Sequence, residues 1–148
     1  MNHMQGVYVT GSAEETKELA KEFAGKLKRG TTLCLFGELA VGKTTFTQGL
    51  GEYFGITRLT SPTYVIVAEY PFKTTHNHIK TLYHIDLYRL KSHWETKAFD
   101  LSEIWSDPAN LTVIEWSDRL EGYLPKDRYE IRFKNAGATA REINIKLI

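Results

Sequence analysis

Two periodicities alternate along the chain. Leu19, Ala20, Phe23, Ala24 and Leu27 recur at spacings of three and four, forming one apolar stripe and predicting a helix over Ser12–Lys28. Ser12 and Glu15 have the spacing of a capping box, in which a hydroxyl and a carboxylate each satisfy an amide of the first turn. Gly30 suits a left-handed stop after that helix. A second helix is predicted over Lys43–Phe54, burying Phe46, Leu50 and Phe54 and closed by Gly55. Trp94–Ile104 carries a weaker helical pattern. Between these segments the pattern changes to short apolar runs and strict alternation. Val7–Thr10, Thr31–Phe36 and Leu111–Trp116 read as short strands, and Thr63–Tyr70 and Lys80–Leu87 are rich in β-formers. The polar stretch Phe72–Asn77 between the last two reads as a hairpin tip or loop. At the end of the chain, Tyr129, Ile131 and Phe133 alternate with charged residues, and Ile143, Ile145 and Leu147 with Glu142, Asn144 and Lys146, which predicts a hairpin of half-buried antiparallel strands. Strands mixed with helices in this order predict an α/β fold, a mixed sheet flanked by helices.

Composition narrows the class. The 148 residues fit a single domain, 1–148. Nineteen basic against eighteen acidic residues leave a net charge of +1, which argues against a nucleic-acid coat or a polybasic membrane anchor. No window approaches the roughly 18 apolar residues of a membrane span, and Met1–Gly6 has no apolar stretch of signal-peptide length. The one cysteine, Cys34, lies inside an apolar run and reads as a small buried hydrophobe. One thiol cannot form an internal disulfide, so a reducing, cytoplasmic setting is expected. His3, His76, His78, His84 and His93 lack the second Cys/His pair that a zinc site requires.

One motif carries specific chemistry. Gly37-Glu38-Leu39-Ala40-Val41-Gly42-Lys43-Thr44 matches G-x-x-x-x-G-K-[ST], follows an apolar strand and opens a helix. Glycines let the backbone curl so that successive amides point at phosphate oxygens, and the helix N-terminus adds positive potential. Lys43 reaches the β- and γ-phosphates, and the Thr44 hydroxyl is a hard oxygen for magnesium. The loop Gly37–Thr45 is therefore expected to hold ATP and Mg2+. Such a site needs carboxylates at neighbouring strand ends. Leu82–Asp86 ends in Asp86 and Leu111–Glu115 ends in Glu115. The pattern assigns this pair to magnesium and to the attacking water without dividing the two roles between them. Six basic residues, including Arg128, Arg132 and Arg141, stand against three acidic ones over Pro125–Ile148, and their alternation reads as a solvated strand face.

The order of Gly37–Thr45, Thr60-Ser61-Pro62-Thr63-Tyr64, His84-Ile85-Asp86-Leu87-Tyr88-Arg89 and Ile114-Glu115-Trp116 resembles the TsaE (YjeE) family over nearly the whole chain. The resemblance implies a three-layer P-loop NTPase-like fold. It implies an ATPase with ATP and magnesium as ligands, supporting threonylcarbamoyladenosine formation in tRNA by resetting the TsaB–TsaD transferase complex without chemistry on the RNA itself. Under it, Lys43 and Thr44 are phosphate and magnesium contacts, and Glu115 is a magnesium-site and hydrolysis residue with Trp116 as its functional neighbour. Asp86 is the acid of the H-x-D-x-Y-R segment, and Ser61–Tyr64 is a switch-like loop. The chain departs from the family at Ala40, where glycine is usual; a methyl group narrows the torsions available there. Two other functions share the loop. A small-molecule kinase adds an arginine-bearing lid, which no segment here resembles, and a non-catalytic binding module uses ATP only to order a partner surface.

Overall fold

The computed structural model describes residues 4–38, 42–59, 67–76, 78–87, 101–120 and 122–148. The readings made of Leu39, Ala40, Val41, Thr60–Tyr64, Tyr88, Arg89 and most of Trp94–Ile104 lie outside them. The elements are β1 (Gly6–Thr10), α1 (Ala13–Lys26), β2 (Thr32–Phe36), α2 (Lys43–Tyr53), β3 (Val67–His76), β4 (Ile79–Asp86), α3 (Leu101–Ser106), β5 (Asn110–Glu115), β6 (Tyr129–Asn135) and β7 (Arg141–Leu147). The strands form one sheet in the order β1-β7-β6-β2-β5-β4-β3. The central four, β6-β2-β5-β4, run parallel, and the outer pairs are antiparallel. This is the expected mixed α/β sheet with helices.

Burial explains the arrangement. Both faces of the parallel centre are covered, so β2 and β5 read as continuous apolar runs. On one face α1 and α2 pack over Leu33, Leu35, Leu82, Leu111, Val113 and Ile131. On the other, Cys34, Ile85 and Ile114 pack with Leu101 of α3 and with Leu120. Cys34 is fully buried, as its pattern predicts; burial pushes its thiol pKa up to about 12, which keeps it unreactive. Phe23 meets Tyr129 edge-on with ring centres 5.0 Å apart, and Phe46 meets Phe133 at 5.7 Å, so both helices are pinned to the C-terminal hairpin.

Ser12 caps α1 by accepting from the Glu15 amide at 3.2 Å. The Glu15 carboxylate takes the Gly11 amide, one residue before the position that a capping box serves. Two readings are corrected. Gly30 is not a left-handed stop; α1 ends at an extended Leu27. The reason for Gly30 is close approach: a Cβ there would lie 2.1 Å from the Asn110 carbonyl oxygen, and its amide donates to Pro108 at 2.7 Å. The stretch Phe72–Asn77 is not a loop up to His76, because β3 runs on through it. As an edge strand paired only to β4, β3 tolerates Pro71 and polar residues, and Phe72 stacks on Phe54 at 4.7 Å between ring centres.

Among the described residues no helix is long and apolar enough to cross a membrane. The contact of α1 with α2 passes through Gly49, where an added Cβ would sit 2.6 Å from the Lys17 carbonyl oxygen and 2.8 Å from its Cα. Gly49→Ala is therefore expected to destabilise the fold by about 1–3 kcal/mol, the scale of overpacking, despite a gain of roughly 1 kcal/mol in helix propensity. Urea unfolding reads this directly as a lowered midpoint; an unchanged or raised midpoint contradicts the close approach.

Candidate functional site

The functional residues converge through register. Leu35 of β2 pairs with Glu115 of β5, and Glu115 pairs with Asp86 of β4, so the three form one row across the parallel strands. Paired residues project to the same side of a sheet, and strands lie about 4.8 Å apart. Asp86 and Glu115 therefore emerge side by side at their strand ends, on the face that carries α2. Both line a cleft of about 350 Å³ with Gly42, Lys43, Thr44, Thr45 and Trp116.

The start of α2 differs from that of α1. Gly42 precedes it at φ 101°, a left-handed conformation that glycine adopts without strain. The N-cap Gly42 brings no side chain to cap α2 and the first turn contains no acid, so the partial positive charge of its N-terminus is not offset by its own sequence. Lys43 is 5% exposed; its ammonium donates to the Gly37 carbonyl at 2.7 Å and lies 4.1 Å from the centre of the Trp116 ring. Trp116 holds φ at 60°, a conformation costly for a bulky residue. Backbone strain of this kind concentrates where a site dictates geometry, and here it brings the indole beneath the lysine.

Gly37 follows β2 and supplies the carbonyl that Lys43 uses, whereas Glu38 is exposed and does not line the cleft. Two sets of residues arrive to which the sequence assigned no ligand contact. Ser12, Ala13 and Thr16 come from the start of α1, and Ala138, Thr139 and Arg141 from the tip of the β6–β7 hairpin. Ser12 was legible only as a cap, and Arg141 reads as one member of a solvated strand face. Arg141 instead borders the cleft beside Gly42 and donates to the Ala140 carbonyl at 2.8 Å. His84 was legible only as the head of the H-x-D-x-Y-R segment, with no role of its own. Its Nε2 lies 2.7 Å from Glu115 Oε2, with both side chains buried. His78 sits at φ 65° between β3 and β4, away from the cleft lining.

A metal has a coherent donor set here. The described residues contain no cluster of three or more His, Cys, Asp or Glu able to enclose an ion. Thr44, Asp86 and Glu115 instead offer a hydroxyl and two adjacent carboxylates on one cleft. Sparse hard oxygen donors suit magnesium, which keeps waters and shares phosphate oxygens.

A family description for the threonylcarbamoyl adenosine biosynthesis protein TsaE matches residues 10–143. The chain is 39% identical over 140 residues to the tRNA threonylcarbamoyladenosine biosynthesis protein TsaE of Bacillus subtilis, covering 94% of this chain and 84% of the relative. It is 40% identical over 147 residues to the protein of that name from Rickettsia bellii, covering 98% and 97%. The crystal structure of Bacillus subtilis YdiB superimposes with a TM-score of 0.78 at 36% identity, over 99% of this chain and 89% of that one. With the family description matched across nearly its whole length, this chain belongs to the TsaE family of threonylcarbamoyl adenosine biosynthesis proteins.

Proposed function

We propose that this chain binds ATP with magnesium in the cleft at the start of α2 and hydrolyses it, and that hydrolysis acts on a TsaB–TsaD transferase complex during threonylcarbamoyladenosine formation in tRNA. The observation that carries the reading is the convergence of Lys43, the uncapped α2 N-terminus and the paired carboxylates Asp86 and Glu115 on one cleft. Amides at the start of α2 and the Lys43 ammonium provide the positive field for a triphosphate. Thr44, Asp86 and Glu115 present the oxygens that would hold magnesium, which would supply neutralising charge to the phosphates there. A strand-end carboxylate also orients an attacking water and takes its proton. The tRNA is the partner complex's substrate and needs no direct contact here, in keeping with the near-neutral charge of the chain. A cytoplasmic setting fits that role and the unpaired, buried Cys34.

Lys43→Ala removes the side-chain cation facing the phosphates. A charge-assisted contact of this type contributes about 1.5–3 kcal/mol, so ATP affinity by calorimetry should fall about ten- to a hundredfold; unchanged affinity and turnover would sink the site. Glu115 supplies none of the loop amides or the lysine. Glu115→Ala should therefore keep much of the ATP binding while hydrolysis falls about a hundredfold or more. Asp86→Ala measured in parallel divides the two carboxylate roles, and wild-type hydrolysis in both variants removes the strand-end reading. The isolated chain should turn over slowly and be strongly stimulated by TsaB and TsaD, as when a partner completes a phosphate site in trans. Reconstitution that follows phosphate release and tRNA modification together decides this: fast turnover indifferent to the partners marks a self-sufficient enzyme.

A further inference from the structure

Glu115 is held by a side chain that the proposed hydrolysis does not yet use. His84 is 0% exposed, and its Nε2 lies 2.7 Å from Glu115 Oε2, itself on a residue 4% exposed. The register explains the contact. His84 pairs with Val113 and Asp86 with Glu115, so His84 stands on the same face of β4 as Asp86, one step back from the strand end and diagonal to Glu115. With Glu115 as the acceptor, Nε2 carries the hydrogen. The other ring nitrogen, Nδ1, is buried and has no hydrogen-bond partner among the described residues. A hydrogen there would be a buried donor without an acceptor, which selects the Nε2–H tautomer.

A carboxylate at this position needs such a partner. Asp86 is its direct cross-strand neighbour, and like charges placed opposite one another repel. We propose that His84 is the positioning residue for Glu115: its Nε2–H fixes Oε2, and with it the rotamer that presents Oε1 to the cleft shared with Lys43 and Asp86. The contact is charge-assisted and buried, which makes it directional as well as strong. A histidine suits the task because its rigid ring places the donor at a fixed reach from β4, and among the described residues Glu115 is the ring's one acceptor.

The inference rests on the proposed hydrolysis, and its test separates the two. His84→Phe fills the volume without a donor, His84→Gln places an amide N–H near the Nε2 position, and His84→Asn reaches only to the Nδ1 position. In the presence of TsaB and TsaD, His84→Phe should lower kcat about 10- to 100-fold, the usual cost of losing an orienting partner, with KM for ATP changed little. His84→Gln should recover most of the loss and His84→Asn should not. Histidine-ring 15N NMR of the nucleotide-free protein gives a readout independent of activity. It should show one ring with a protonated Nε2 and a bare Nδ1, whose Nε2 signal moves in Glu115→Ala. Equal losses in kcat, ATP binding and melting temperature for the Phe and Gln variants would show a merely structural residue and overturn the proposal. A ring protonated at Nδ1 alone, or one indifferent to Glu115→Ala, would overturn it as well. If the wild-type protein with its partners releases no phosphate, the hydrolysis reading fails. The NMR arm then still decides whether His84 holds Glu115.

Discussion

Parallel pairing of β5 with β2 on one side and with β4 on the other is the constraint on which the site depends. It sets Leu35, Glu115 and Asp86 in one row, so that two carboxylates reach the same edge of the sheet as the segment that follows β2. A shift of one residue in either pairing would turn a carboxylate to the opposite face, among Cys34, Ile85 and Ile114. Burial on both faces enforces the register: the same alternation that hides Leu111 and Val113 beneath α1 and α2 delivers Glu115 to the helix-bearing side. The chemistry at the strand ends is thus fixed by the packing of the strand interiors.

The second requirement is the position of α2. Its N-terminus meets the carboxylate row only because the helix lies close to α1 and to the C-terminal hairpin. Gly49 permits the first approach, and the Phe46–Phe133 contact provides the second. Lys43 then has neighbours from three places: the Gly37 carbonyl at the end of β2, the Trp116 ring after β5 and, across the cleft, the hairpin that carries Arg141. The left-handed Trp116 is an exception to local preference, and it occurs where the indole must turn beneath the ammonium. Local rules are broken here at the site and kept in the helices and strands that support it.

Features set by local spacing were legible in the sequence. The Ser12 cap, the apolar stripes of α1 and α2 and the β6–β7 hairpin each depend on residues within a few positions of one another, and each stands where its pattern puts it. What escaped depends on distant partners. Gly30 reads as a helix stop because the backbone of Pro108–Asn110, which crowds it, is remote in sequence. The far half of β3 reads as a loop because an edge strand needs no apolar alternation on both faces. Ser12, Thr16, Thr139 and Arg141 border the cleft through tertiary approach alone, and His84 reveals its partner only once β4 and β5 are in register. The two strand-end acids were found because a strand end is itself a local feature.

The row Leu35–Glu115–Asp86 and the start of α2 meet at one cleft, proposed to hold a triphosphate and magnesium. A crystal structure of the chain grown with Mg2+ and a non-hydrolysable ATP analogue would decide this. The β- and γ-phosphates are expected against the Gly42–Thr45 amides and the Lys43 ammonium. A magnesium ion is expected between the γ-phosphate, Thr44 and at least one of Asp86 and Glu115, directly or through water. A triphosphate seated elsewhere on the protein, or a metal whose ligands include none of these three side chains, would contradict it.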